Sequence, residues 1–248
     1  MEHGLQILLK ALVDSFRPRM LMLTLVSVAA AAIFWIVLIW LSIDPLANLA
    51  ISLLGKIGID VSQSAVDSFA FVGWLKAFLV PMAVFGFLWP IVASSAVLLA
   101  GLYVTPPVLN YLGQREFGNL KKQGEGTLLM GLWVTLKAVV IFLLGWIITF
   151  PLWLIPGMAF VLPLIWTSYL LIAVMRFDAL SAHATRAEMK LIKKKDASTP
   201  WLIGVVCAFL SFVPPILLIM PVMSALAFTR YYLGALENIR NNTVVDTQ

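Results

Sequence analysis

The chain has 248 residues, 62% of them hydrophobic and 12% charged, with a formal net charge of +5 and a mean hydropathy of +1.00. A soluble domain of this length carries about a quarter charged residues, because its surface has to be wetted. So few charges cannot cover a water-facing globule, which excludes a soluble enzyme and leaves lipid to cover much of the chain.

No polar linker or low-complexity stretch divides the sequence, so residues 1–248 read as a single membrane domain. Residues 4–19 come first. Leu5, Leu8, Leu9, Leu12 and Phe16 recur at helical spacing, with Gln6, Lys10 and Asp14 on the opposite face. This pattern predicts an amphipathic helix, lying along the membrane surface or packed under a neighbour, and ended by Arg17-Pro18-Arg19. The stretch Met1 to Arg19 does not read as a signal peptide, since no small-residue cleavage site follows a short apolar core.

Residues 20–41 are an uninterrupted apolar run, long enough at 1.5 Å per residue to cross a hydrocarbon core of about 30 Å. Trp35 and Trp40 suit the interfacial belt, and Asp44-Pro45 is expected to end the helix. Residues 44–68 then hold Asp44, Lys56, Asp60 and Asp67. A second span is expected over 71–103, kinked at Pro81 and Pro90, with Lys76 snorkelling near its outer end. Beyond Pro106-Pro107 the chain turns hydrophilic as far as Gly126.

Two further apolar blocks follow, 127–175 and 197–229, with the basic segment Arg176 to Asp196 between them. The first is interrupted by Pro151, Pro156-Gly157 and Pro163, the second by Pro214-Pro215 and Pro221. Charge sets the expected topology. The segments 2–19, 104–126, 176–196 and 230–248 hold 14 of the 17 lysines and arginines, and 44–68 holds one. Cytoplasmic loops are the basic ones, so both termini are expected inside and 44–68 outside. Each later block must then leave the cytoplasmic side and return to it.

The last block has about 17 residues before Pro214-Pro215 and about 13 after. Thirteen helical residues reach only about 20 Å, short of the hydrocarbon thickness. A hairpin that enters partway and returns fits better than two full spans. In the third block the first arm is longer and full crossing stays open. Re-entrant backbone needs cover from protein or water, and a homo-oligomer is expected to provide it. The expected fold is therefore an all-α integral membrane protein. It has two long transmembrane helices, two Pro-broken re-entrant helical hairpins and the N-terminal amphipathic helix.

This layout resembles the CysZ-type sulfate permease family, whose wider domain is named after an etoposide-induced protein. Leu154-Ile155-Pro156-Gly157 is similar to the family's turn at the first hairpin tip. Arg176-Phe177-Asp178-Ala179-Leu180 resembles the segment that follows it, and Ile219-Met220-Pro221-Val222 with Arg230-Tyr231-Tyr232 resembles the second hairpin's return arm. Pro107, Asn110 and Leu112 resemble a Pro-aromatic-Asn motif, with the Asn one residue late. A Gly-aliphatic-Arg motif is expected where the N-terminal helix meets the first span; this chain has Phe16-Arg17-Pro18-Arg19 there, without the glycine. The resemblance implies a bacterial inner (plasma) membrane protein that conducts a small anion such as sulfate.

Arg17 and Arg19 are candidates to recruit that anion, because guanidinium groups offer forked donors matched to tetrahedral oxyanions. Their other reading is anchoring against anionic headgroups. Lys137, about ten residues into the third block, is either part of an anion path or a snorkelling anchor. Asp178 is expected to pair with Arg176, His183 to be solvated, and Lys193-Lys194-Lys195 to face lipid headgroups. Cys207 stands alone and His3 and His183 are far apart, so no disulfide, metal site or cofactor is expected. No nucleophile elbow, phosphate loop or paired carboxylates point to an enzyme, and the basic patch is too short for nucleic acid. Two function classes remain: an anion transport protein, or a non-transporting membrane scaffold that organises lipid.

Overall fold

The computed structural model describes residues 2–56, 90–91, 93–95, 97–124, 126–155, 157–213, 216 and 218–245. Residues 57–68 of the expected outer loop and most of the expected second span lie outside the described residues. Every regular element among them is helical, as an all-α membrane fold requires. The chain divides into two compact units, Met1–Val28 with Ala93–Gln248, and Ala29–Val92.

Helix α1 (Glu2–Ser15) and helix α2 (Pro18–Lys56) are separated at Phe16-Arg17, as the proline predicts. Pro18 opens α2, where its missing N–H costs nothing. The helix does not end at Asp44-Pro45; it runs on to Lys56. A proline inside a helix loses one hydrogen bond and crowds the carbonyl four residues back, but the Leu- and Ala-rich stretch from Leu46 to Leu54 favours helix on its far side. Within the second unit the described part of α2 exposes Ile33, Phe34, Ile36 and Val37.

In the first unit a π-helical segment (Ala100–Val104) runs into α3 (Thr105–Arg115). A loop then leads to α4 (Leu128–Thr149), whose first turn is capped by the Thr127 hydroxyl accepting from the Met130 amide at 3.3 Å. The loop lies against the end of the next long helix, with the Gly124 and Gly126 amides donating to the Ala182 and Ser181 carbonyls. A Cβ on Gly124 would fall 2.1 Å from the Ser181 oxygen, so only glycine permits this approach.

A 3-10 turn (Phe150–Leu154) closes α4, and α5 (Met158–Leu180) returns from it. Gly157 sits between them at φ 88°, so the hairpin tip falls where the sequence places it. Pro163 does not break α5 but lies inside it. Pro18–Val37, Leu129–Trp153 and Met158–Leu180 are long and apolar enough to cross a membrane. Both arms of this hairpin thus have crossing length, at about 33 Å or more of helix. Packing of α4 on α5 is close: a Cβ on Gly145 would lie 1.9 Å from the Trp166 ring, and the Trp166 indole N–H donates to the Thr149 hydroxyl at 3.1 Å.

The short helix α6 (Arg186–Lys195) starts on a capping box between Thr185 and Glu188 and ends on Lys193, Lys194 and Lys195, which complement its dipole. Then come α7 (Ser198–Leu210) and α8 (Met220–Val245). At 13 residues α7 spans about 20 Å, too little to cross. The return arm leads into α8, which runs past the apolar block for 26 residues in all and is the centre of its unit. It packs against α1, α3, α5, α6 and α7, and Val222, Ala225, Leu226, Ala227, Phe228, Leu233 and Leu236 are wholly buried.

Candidate functional site

Polar groups in this unit gather at the end of α1, around α8. Helix α1 packs against α8 and α7 through Ile7, Leu8, Ala11, Asp14 and Ser15. The apolar stripe of α1 divides: Leu8 turns inward, while Leu5, Leu9 and Phe16 are exposed along the outer face, with Val13 beside them. Asp14, expected beside Gln6 and Lys10 on a wet face, is buried instead. A carboxylate tolerates that position only with partners.

Its partner is Arg230 of α8. The Arg230 Nη2 donates to Asp14 Oδ2 at 2.6 Å and to Glu116 Oε1 at 2.6 Å, and its Nε donates to Glu116 Oε2 at 2.8 Å. The guanidinium thus forks onto Glu116, just past the end of α3, and reaches Asp14 from the same side. The Arg230 Nη1 is buried without a hydrogen-bond partner among the described residues.

Arg17 joins this cluster, its Nε 2.7 Å from Asp14 Oδ1. Arg115 stands 3.9 Å from the same oxygen and donates to the Tyr111 hydroxyl. Three guanidinium groups therefore meet two carboxylates, leaving one positive charge in excess. Arg230 is enclosed, whereas Arg17 and Arg115 keep 43% and 46% of their side chains exposed. Arg19, two residues into α2, is exposed. The chemistry available is an outward-facing edge of guanidinium donors, held from behind by a buried ion-pair network.

Lys137 is not part of it. It is exposed on α4 among Leu132, Trp133, Leu136 and Val140, which are exposed with it. The structure thus brings Arg17 to a charged cluster at the α1–α2 junction, places Arg19 on the adjoining turn and leaves Lys137 on another helix.

A second network holds the far end of α8. The Arg240 Nε donates to Glu188 Oε1 at 2.8 Å, and its Nη groups donate to the Lys121 and His183 carbonyls at 2.8 Å. That hydrogen bond from Arg240 lowers the Glu188 pKa, against burial that raises it and with help from Thr185. His183 is not solvated but 4% exposed, with Nδ1 unpartnered among the described residues. Burial, then Lys122 and Arg240, lower its pKa.

Asp178 makes no bridge to Arg176 among the described residues, because positions two apart point to different sides of a helix. Its Oδ2 is buried without a partner among the described residues, and a Cβ on Gly101 would lie 2.9 Å from it. Asp196 accepts from the Ser198 amide at 2.9 Å and hydroxyl at 2.8 Å, from the Thr199 amide at 3.2 Å and from the Tyr231 hydroxyl at 3.0 Å. Burial alone would raise its pKa, but bonds from Thr199, Ser198 and Tyr231 hold it well below the usual carboxylate range.

The hydroxyls that would line a path within the chain are largely engaged locally. Thr149, Ser168 and Ser211 donate to carbonyls of their own helices at 2.7, 2.5 and 2.8 Å. The Ser94 hydroxyl is buried and unpartnered among the described residues.

The Asp14–Arg230–Glu116 cluster escaped the sequence reading. One signal was present: Arg230 is the charged residue that closes a long apolar run without a break in helical pattern.

No curated protein and no solved structure matches the chain. The family model described as Sulfate transporter CysZ/Etoposide-induced protein 2.4 matches residues 7–221, a stretch running from α1 into the first turn of α8 and taking in Arg17, Arg19 and Lys137. On that match, which covers most of its length, the chain belongs to the sulfate transporter CysZ/etoposide-induced protein 2.4 family.

Proposed function

We propose that the protein conducts a small inorganic anion such as sulfate across a bacterial inner membrane, as a channel or permease and not as an enzyme. The observation that carries this reading is the excess positive charge at the α1–α2 junction. There Arg17 is half-exposed and tied to the buried network through Asp14, with Arg19 on the next turn. An oxyanion arriving from water meets forked donors already held in place. Family membership supports the same chemistry. Both termini face the cytoplasm in this reading, and the second hairpin, with its 13-residue α7, enters the bilayer without crossing it.

Lys137 enters this reading only through assembly. On the outward face of α4 it reaches an ion path where that face meets a second copy of the chain. A homo-oligomer would thus serve conduction as well as cover the exposed apolar face of α4.

One observation favours a non-transporting scaffold instead: Thr149, Ser168 and Ser211 donate their hydroxyl protons to carbonyls of their own segments, which leaves those donors engaged. Sulfate uptake into proteoliposomes, with chloride and phosphate as controls, separates the two. Saturable, sulfate-selective uptake that falls in Arg17→Gln/Arg19→Gln supports conduction. No flux of any anion from folded protein supports the scaffold.

A further inference from the structure

Helices α5, α6, α7 and α8 enclose an open groove of about 360 Å³ whose lining includes Tyr169, Ile172, Arg176, Lys193, Asp196 and Trp201. This is within the range of sites that hold small molecules. It lies where the apolar length of α5 and α7 gives way to the basic helix α6, which is the chemistry of a membrane interface.

The polar end has positive charge to spare. Arg176 is half-buried, and no carboxylate among the described residues pairs with it. Lys193 is exposed on the last turn of α6, next to Lys194 and Lys195. The one carboxylate in the lining, Asp196, is occupied by Ser198, Thr199 and Tyr231. Those bonds also use the amides at the start of α7, so any anion here is held by Arg176 and Lys193 and not by a helix terminus.

The apolar end continues out of the groove. Ile165, Tyr169 and Ile172 recur at helical spacing on α5, and Trp201, Val205 and Phe209 do so on α7, which packs against it. Ile165, Trp201, Val205 and Phe209 are all exposed. A free phosphate would have no use for this seam, whereas acyl chains would fill it.

We propose that this groove binds an anionic phospholipid, its phosphate between Arg176 and Lys193 and its acyl chains along the seam between α5 and α7. Guanidinium and ammonium groups both suit a phosphate diester, the first as a fork and the second as a point charge. Basic pockets between membrane helices recognise headgroups in this way. The site is separate from the Arg17 cluster, so it stands whether or not the protein conducts an anion.

The test uses the full chain in phosphatidylcholine vesicles, with tryptophan fluorescence quenched by phosphatidylglycerol brominated on its acyl chains. Brominated phosphatidylcholine is the comparison. Brominated phosphatidylglycerol is expected to quench more strongly, and Trp201→Phe to abolish the excess. Lys193→Gln and Arg176→Gln should each weaken the apparent affinity of the excess about fivefold. Lys193 is on the surface, so its variant keeps the fold, checked by circular dichroism, and decides the matter if Arg176→Gln does not fold. Equal quenching by the two lipids overturns the proposal, as does an excess that survives Trp201→Phe or Lys193→Gln. Loss of the excess to soluble glycerol phosphate at matching concentration also overturns it, in favour of a simple phosphate site.

Discussion

Arg230 and Asp14 stand 216 positions apart in the chain and 2.6 Å apart in space. Their ion pair joins the first helix to the last, and Glu116 brings the end of α3 to the same guanidinium. Three elements distant in sequence therefore share one charged hub.

Breaking a buried pair leaves an uncompensated charge, at a cost of about 3–5 kcal/mol. Arg230→Gln strands Glu116 and leaves Asp14 to Arg17 and the more distant Arg115, and it is expected near the lower end of that range, because Glu116 is also a third exposed. Thermal unfolding of the protein in detergent measures it. Arg230→Lys should not restore stability, since an ammonium cannot fork onto Glu116 and still reach Asp14. Unfolding temperatures equal to that of the unaltered protein would show the hub to be dispensable.

Gly145→Ala places a methyl group against the Trp166 ring. Overpacking of this kind costs about 1–3 kcal/mol, because α4 and α5 must separate or the indole must turn away from Thr149. Thr149→Val keeps the packing but removes the hydroxyl that accepts from Trp166 and donates to the Gly145 carbonyl, and about 1 kcal/mol is expected. The order of the two variants in a denaturation series is the check. A milder effect from Gly145→Ala would mean that the hairpin is loosely packed.

His183 gives a dependence on pH. Its folded pKa lies below its unfolded value of about 6.5, so the unfolded chain binds more protons between the two. The contribution is fully present above about pH 6.5 and is lost as pH falls through the folded value. His183→Gln should flatten the fall in unfolding temperature between neutral and mildly acidic buffer. An unchanged slope would mean that other groups carry it.

Arg17 and Lys137 separate the two routes by which charge could serve conduction. Arg17→Gln removes a charged donor at the proposed mouth and should lower sulfate uptake about tenfold. Lys137→Gln is expected to lower it less, and only in protein that assembles. Uptake unchanged by Lys137→Gln would leave that side chain to snorkel in lipid.

Much of the architecture was legible because its causes are local. Few charges over a long apolar chain require lipid, and apolar length alone predicts a span over 20–41, where the structure gives a helix of crossing length over Pro18–Val37. The break at Arg17-Pro18 and the hairpin tip at Gly157 follow from residues that alter their own backbone. Reading Asp44-Pro45 as a stop went too far, since a proline removes one bond and leaves the next turns free to continue.

What the sequence determined by itself was thus the helical membrane class, the family and the approximate turns. Tertiary structure alone decided which side of each helix is inside. Hydropathy separates apolar from wet, but lipid tails and a protein core are equally apolar. Leu5 and Leu9 could therefore face lipid while Leu8 faced α8, with nothing local to distinguish them. For the same reason Asp14 read as a surface residue. Only the packing of α1 and α3 on α8 brings Asp14, Glu116 and Arg230 to one point, because an ion pair across 216 residues depends on every helix between them.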